Sequence, residues 1–144
     1  MSLVKQTIVI GQLELHFLLD AEDTNDTMVI FEFVIPPGAK VPIPHYHKEV
    51  EEVIYGLEGV TTTTLDGKQV EIGKGDRLFI PRGAVHHHDN RTQEVARSLI
   101  IMTPGSIGPA YFEEMAGLIK PGVPPDPKKA SEIMMRYGLI PMPA

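Results

Sequence analysis

Short apolar runs, each ended within a few residues by glycine or proline, most constrain how this chain can fold. Its 144 residues include 13 glycines and 13 prolines. The apolar run at residues 28–35 stops at Pro36-Pro37-Gly38, and Asp66-Gly67 is a two-residue signal for a β-hairpin whose turn needs positive φ. Strands this short, with turns this regular, predict an all-β fold built as a small antiparallel barrel or sandwich.

The remaining strands are predicted from further runs rich in β-branched residues, and a polar, acidic turn is expected at residues 21–26. We expect these strands at residues 7–10, 13–19, 53–57, 60–65, 69–72, 77–80, 85–88 and 95–102. After Pro104-Gly105 the apolar spacing becomes helical. One helix is predicted at 110–119, ended by Lys120-Pro121-Gly122, and a second is predicted from Pro127 to a C-cap at Gly138.

The length of the chain predicts one domain over residues 1–144. Within it we place N-terminal strands in 1–27, a barrel core in 28–103 and a helical extension in 104–144. About forty residues cannot form a domain alone. The extension is therefore expected to pack on the barrel, to act as a lid, or to cross a dimer.

The composition excludes several classes of function. The formal net charge is −6, from 13 Lys and Arg against 19 Asp and Glu, and no run concentrates the cations, so no nucleic-acid partner is expected. The apolar runs are too short for a membrane span, and no signal peptide is evident, so we expect a cytoplasmic protein with no membrane partner. The absence of cysteine excludes disulfides, thiolate metal ligands and a cysteine nucleophile.

Five of the six histidines fall in two clusters, at positions 45 and 47 and at 86, 87 and 88. In an extended segment, which Pro42 and Pro44 favour, His45-Tyr46-His47 places both imidazoles on one face. Two such histidines commonly begin a metal site. A carboxylate could join them from one of three following residues, and His86 could arrive from a neighbouring strand. These carboxylate candidates are Glu49, Glu51 and Glu52. On spacing alone, solvated loop histidines or hydrogen-bonded core histidines remain equal alternatives.

The residues around these histidines resemble the two motifs of the cupin superfamily. The first motif is matched by Gly38, His45, His47, Glu52 and Gly59, although Gly38 lies one residue further from His45 than in the commonest form. The second motif is matched at every position, by Gly75, Pro81, Gly83, His86 and Asn90. The resemblance covers residues 28–103, and the tail is similar to single-domain cupins related to quercetin dioxygenases.

The resemblance implies a jelly roll, or double-stranded β-helix, around one divalent metal ion. The implied ligands are His45, His47, Glu52 and His86. Three imidazoles and a carboxylate suit Fe, Mn, Ni, Co, Cu or Zn and do not suit Ca or Mg, and they leave a position open for water, substrate or dioxygen. Glu51 competes with Glu52, but the spacing to Gly59 favours Glu52. Cupins are commonly homodimers, so a homodimer is expected.

His88 departs from the family pattern, in which this position is often aromatic or apolar. By alternation His88 shares the inward face with His86, while His87 points outward. One hypothesis makes His88 a hydrogen-bond partner or proton shuttle beside the metal. The alternative, which we favour on the pattern, is that His88 fills the barrel floor and bonds a backbone carbonyl.

Several other side chains are weaker candidates for the pocket. Ordinary core packing is the expected role of Phe31, Phe33, Ile54 and Phe79, and Met102 and Phe112 could close the mouth. The threonines at 61–64 are expected to form a half-exposed strand. His16 has no partner that we can identify and is expected to be structural or solvated.

The resemblance implies a metal-dependent oxygenase of the quercetinase-like kind acting on a small molecule. In that scheme the metal polarises a substrate oxygen, and Glu52 accepts a substrate proton. Isomerase or decarboxylase chemistry uses the same parts, and fold alone does not choose between them. A non-catalytic module that binds or senses a small ligand is a second possibility. A structural or storage role, with the metal as a staple, is the third.

Overall fold

Two antiparallel sheets form the framework of the computed structural model, which describes residues 3–41, 43–120 and 122–142. The elements follow in the order β1 (Gln6–Ile10), β2 (Leu13–Leu19), α1 (Ala21–Thr24), β3 (Val29–Ile35), β4 (His45–His47), β5 (Glu51–Glu58), β6 (Thr61–Leu65), β7 (Lys68–Ile72), β8 (Arg77–Ile80), β9 (His86–Asp89), β10 (Ala96–Thr103), α2 (Pro109–Leu118), α3 (Pro127–Arg136) and β11 (Leu139–Pro141). The predicted all-β fold with a short C-terminal helical segment is confirmed. Pro42 and Pro121 lie outside the described residues, as do residues 1–2 and 143–144.

The two sheets face each other across the core. One sheet has the strand order β1-β2-β3-β10-β5-β8 and the other has β11-β4-β9-β6-β7. Strand β10 pairs with both β3 and β5, so that Ile100 lies opposite Phe31 on one side and Ile54 on the other. All three side chains are buried. Period-two alternation along each strand therefore places one apolar set inside the barrel, as the sequence pattern predicts.

The hairpin between β6 and β7 turns at Asp66-Gly67, as predicted. Both residues have positive φ, 48° and 82°, which is the backbone of a type I′ turn. Gly59, the last glycine of the first motif, also has positive φ, at 63°. A Cβ atom at Gly59 would lie 2.3 Å from the carbonyl oxygen of Val95. Gly59 is therefore required by a close backbone approach as well as by its dihedral angle.

The C-terminal segment folds onto the barrel. Strand β11, which sequence analysis did not predict, pairs with β4 and places Leu139 opposite His47. Asp126 caps α3, and Gly138 follows the helix with φ 80°. Arg136 and Tyr137 both bind Glu114 and so connect α3 with α2. In the described part of the chain, no helix has the length and apolarity needed to cross a membrane.

Local structure differs from expectation at the N-terminal turn and at His16. The polar segment at 21–26 contains the one-turn helix α1, because the Asp20 carboxylate accepts the backbone N–H of Glu22 and caps it. His16 has partners on both ring nitrogens. Its Nδ1 lies 3.1 Å from the Thr7 hydroxyl across the β1–β2 pair, and its Nε2 lies 3.3 Å from the Glu14 carboxylate.

Two expectations about burial are wrong. Three of the four threonines at 61–64 are buried. Successive side chains point to opposite faces of a strand, so both faces of β6, which lies between β7 and β9, are covered there. Phe79 is neither core nor pocket, since 54% of its surface is exposed. The alternation of β8 turns Ile80 inward and Phe79 onto the outer face of the sheet.

Replacing Gly59 by alanine should destabilise the fold more than the same change at Gly67. Both glycines have positive φ, which costs an alanine about 1–2 kcal/mol. A Cβ atom at Gly67 meets nothing within 4 Å, whereas one at Gly59 collides with the backbone at Val95. In urea unfolding we expect Gly59→Ala to lower the free energy of unfolding by about 1–3 kcal/mol more than Gly67→Ala. Equal losses would contradict this packing argument.

Candidate metal centre

The pairing of β4 with β9 brings three predicted histidines together. His45 lies opposite His86 in the register, and His47 lies one pleat away on the same face as His45. The ring centroid of His86 is 4.8 Å from that of His45 and 4.8 Å from that of His47. His47 and His86 are buried, and His45 is half-buried. The ring nitrogens of the three lie within 4.8 Å of one another.

Backbone carbonyls fix which nitrogen of two of these rings faces the centre. The Nδ1 atom of His45 lies 2.8 Å from the Ile43 oxygen, and the Nδ1 atom of His86 lies 3.0 Å from the Ala84 oxygen. A carbonyl oxygen only accepts, so Nδ1 carries the proton, and in the neutral ring Nε2 keeps a free lone pair. This is the form in which histidine binds a metal ion.

Burial favours the neutral imidazole at two of the three positions. It lowers the pKa of His45 to about 3 and the pKa of His47 to about 4. Burial also acts to lower the pKa of His86, but the neighbouring Glu52 carboxylate raises it by more. His45 and His47 therefore offer imidazole lone pairs at neutral pH, whereas His86 holds its proton more strongly because it lies beside the buried carboxylate.

The Glu52 carboxylate on β5 faces the three rings. Its Oε1 atom is 3.7 Å from Nε2 of His86 and 4.0 Å from Nε2 of His47. Atoms that share a metal ion at about 2.1 Å lie roughly 3–4 Å apart, so these separations fit ligands of one ion. Glu51 turns the other way and pairs with Arg82 at 3.5 Å on the surface.

His88 bonds two side chains and not the backbone carbonyl that we expected. Its Nε2 atom lies 3.0 Å from Oε2 of Glu52, and its Nδ1 atom lies 2.8 Å from the Thr63 hydroxyl. A carboxylate only accepts, so Nε2–H donates to Glu52, and the Thr63 hydroxyl is hydrogen-bonded to Nδ1 on the other side of the ring. The buried series Thr63–His88–Glu52 thus holds Oε2 while Oε1 faces His47 and His86. His87 alternates with His86 and His88 and is half-buried, but it is also among the residues that line the cavity beside the cluster.

The imidazoles keep the buried Glu52 carboxylate ionised. Burial alone would raise the pKa of Glu52, but His86 and His88 offset it and hold that pKa well below its usual range. An ionised carboxylate, three imidazoles and no thiolate make a donor set that suits a divalent transition metal. The residues present could therefore hold such an ion.

An apolar cavity of about 90 Å³ opens onto this cluster. Four apolar residues that the sequence analysis named as pocket candidates line it, namely Phe31, Phe33, Met102 and Phe112. Tyr111 and Met115 of helix α2 also line it, and the sequence analysis did not identify them as pocket residues. None of the described residues that line the cavity is Lys or Arg. Ile54 is fully buried in the core and does not line it.

Comparison with known sequences agrees with this geometry. A family model described as the Cupin domain matches residues 31–102. The chain belongs to the cupin family. This cupin is 26% identical over 99 residues to quercetin 2,3-dioxygenase of Bacillus subtilis (strain 168), a match that covers 68% of the chain and 29% of that enzyme. The chain thus spans less than a third of the length of that relative.

Solved structures show the same fold. The polyketide cyclase RemF from Streptomyces resistomycificus is 32% identical to this cupin, with a TM-score of 0.60 over 69% of this chain and 73% of that one. A sugar phosphate isomerase of the cupin superfamily from Silicibacter pomeroyi is 26% identical, with a TM-score of 0.56 over 63% of this chain and 59% of that one. The names of these relatives indicate different reactions on the same fold. The activity of this chain must therefore be inferred from the residues of its own site and not from the fold.

Removing the Thr63 hydroxyl should destabilise this cupin through His88. In Thr63→Val the buried Nδ1 of His88 loses its partner, which costs about 1–3 kcal/mol of the free energy of unfolding. Thr61→Val is the matched control, because Thr61 is equally buried on the same strand face and its hydroxyl bonds no described side chain. Urea unfolding of the metal-free proteins measures both. Equal effects of the two substitutions would show that the Thr63–His88 bond contributes nothing.

Proposed function

We propose that this cupin binds one divalent transition-metal ion through His45, His47, Glu52 and His86 and oxidises a planar phenolic compound with dioxygen, as a quercetin dioxygenase-like enzyme. One observation carries the proposal: a cluster of three imidazoles and one carboxylate lies at the wall of a cavity that is otherwise mainly apolar and aromatic. The likeness to the Bacillus subtilis dioxygenase supports it.

The chemistry of the cavity wall selects the substrate class. A sugar phosphate or a small dicarboxylate carries charge that needs Lys, Arg or a set of amide donors at the site. The described lining residues include no Lys and no Arg. The rings of Phe31, Phe33 and Phe112 instead present faces and edges against which a flat aromatic molecule can pack. A phenol with few charges is therefore the better fit.

The side chains of the cluster have distinct tasks in the proposed reaction. A bound divalent ion would polarise a substrate hydroxyl and lower its pKa. The ionised Glu52 carboxylate accepts the hydroxyl proton, and His88, which donates to Oε2, holds the carboxylate in place. The apolar walls exclude water from the reacting molecule.

A reaction without dioxygen is the second candidate. It is favoured by the 32% identity to the polyketide cyclase RemF, and isomerase or decarboxylase chemistry belongs to the same group. Such a reaction would use the same apolar cavity and the same proton acceptor, Glu52. Oxygen uptake distinguishes it from the first candidate. A ligand-binding module without catalysis would bind the phenol and convert nothing.

Metal content and turnover test the proposal together. Protein purified without an affinity tag should hold about one equivalent of a transition metal ion and consume dioxygen with quercetin. His47→Ala should lose metal affinity by more than the roughly 10- to 100-fold that is typical for residues that only support a ligand. His16→Ala, a change at a histidine outside the cluster, should keep the metal.

Two neighbouring glutamates provide the matched test of catalysis. Glu52→Gln, loaded with metal, should lose turnover by about 10²–10⁴-fold because the proton acceptor is removed. Glu51→Gln should keep wild-type turnover, since Glu51 faces the surface. Undiminished turnover in metal-loaded Glu52→Gln would contradict the assigned role. Conversion of a phenol without oxygen uptake would favour the second candidate, and a protein that takes up no metal would exclude both.

A further inference from the structure

A succession of aromatic rings connects the metal centre with helix α2. The Phe33 ring lies 6.3 Å from the His88 ring, and Phe31 lies 5.9 Å from Phe33. The ring of Phe112 on α2 lies 5.4 Å from Phe31, and Tyr111 lies 4.9 Å from Phe112. Tyr111 therefore stands at the end of this series opposite to His88, and it lines the same cavity.

The hydroxyl group of Tyr111 is the unusual feature of this wall. The residue is 5% exposed, and its hydroxyl makes no hydrogen bond to any of the described residues. Its pKa is raised by burial alone, which agrees with a phenol that no neighbour contacts through a hydrogen bond. The residue is buried, but its hydroxyl oxygen is not one of the fully enclosed polar atoms without a partner, so it still borders open space. A tyrosine hydroxyl in such a position can take a hydrogen-bond partner from that space.

The neighbouring Tyr137 shows how the chain satisfies a tyrosine when it supplies the partner itself. The two rings are 5.4 Å apart. The Tyr137 hydroxyl donates to Oε2 of Glu114 at 2.5 Å, and Arg136 binds the same carboxylate. Tyr137 does not line the cavity, whereas Tyr111 does. Of these two neighbouring phenols, the one without a hydrogen-bond partner among the described residues is therefore the one that borders the cavity.

We propose that the Tyr111 hydroxyl anchors the substrate, by donating a hydrogen bond to a second oxygen substituent remote from the oxygen that meets the metal. The proposal rests on the function proposed above and narrows its substrate class. It predicts a planar phenol oxygenated at both ends, such as a polyhydroxylated flavonol. A donor placed in an apolar wall discriminates strongly, because a ligand that lacks the matching acceptor leaves the donor unpaired.

A substrate anchor can be distinguished from a side chain that only packs, and from one that stabilises the fold, by how loss of the hydroxyl changes ligand binding and the free energy of unfolding. A ring that only packs would bind ligands equally well as phenylalanine. A hydroxyl with a partner inside the protein would stabilise the fold, so its removal would lower the free energy of unfolding. A substrate anchor does neither of these. Its removal affects only ligands that carry the second oxygen.

Two flavonols and two single-hydroxyl deletions test the anchor. Quercetin carries hydroxyls on both ring systems, and 3-hydroxyflavone carries only the adjacent hydroxyl and carbonyl oxygens that can meet a metal. Dissociation constants are measured without oxygen on the metal-loaded wild type, Tyr111→Phe and Tyr137→Phe. We expect Tyr111→Phe to weaken quercetin binding by about 5- to 10-fold and to change 3-hydroxyflavone binding by less than about 2-fold. Tyr137→Phe should change neither by more than about 2-fold.

Each other outcome overturns a separate claim. Equal weakening of both flavonols by Tyr111→Phe, or no weakening of either, overturns the anchor and leaves the proposed function standing. Failure of the wild type to bind either flavonol overturns the proposed substrate class and the anchor with it. Urea unfolding of the metal-free proteins adds a readout that needs no ligand. A lower stability of Tyr111→Phe would reveal a partner inside the protein and would exclude the anchor.

Discussion

The pairing of β4 with β9 is the constraint on which the site depends. It sets His45 opposite His86, and the same extended backbone lets the carbonyls of Ile43 and Ala84 take the Nδ1 protons. The Nε2 atoms of His45 and His86 then face the centre of the cluster, and the bonds that orient them reach only two residues along the chain. Strand β11 pairs with the other edge of β4, so β4 lies within a five-stranded sheet although it is only three residues long. A short strand held on both edges keeps its side chains in fixed positions.

A buried negative charge imposes the second requirement. Glu52 is 5% exposed, and an ionised carboxylate removed from water is costly unless it is paired and hydrogen-bonded. In this cupin His88 and, through it, Thr63 supply that compensation on one oxygen. The other oxygen faces the imidazoles, where a cation would complete the compensation. The Thr63–His88–Glu52 series therefore stabilises the buried carboxylate in the metal-free protein and holds it in the orientation that the proposed metal-bound enzyme needs.

Strand alternation and motif spacing predicted much of the fold and of the site. The residues that they did not identify owe their roles to contacts between segments distant in the sequence. Alternation placed His86 and His88 on one face, and motif spacing separated Glu52 from Glu51. Thr63 escaped notice because nothing in a run of threonines reveals that β6 pairs with β9 and sets Thr63 opposite His88. Tyr111 escaped notice because helical spacing shows an apolar face but not the cavity that it covers. Strand β11 is too short and too close to prolines to stand out.

Anomalous diffraction from a crystal loaded with manganese, cobalt or zinc tests the central claim most directly. We expect one peak per chain, at about 2.0–2.2 Å from the Nε2 atoms of His45, His47 and His86 and from a carboxylate oxygen of Glu52. His88 should remain outside bonding distance of the peak and within hydrogen-bond distance of Glu52. A cluster without a peak would contradict the account, and so would a peak from which the Glu52 carboxylate turns away.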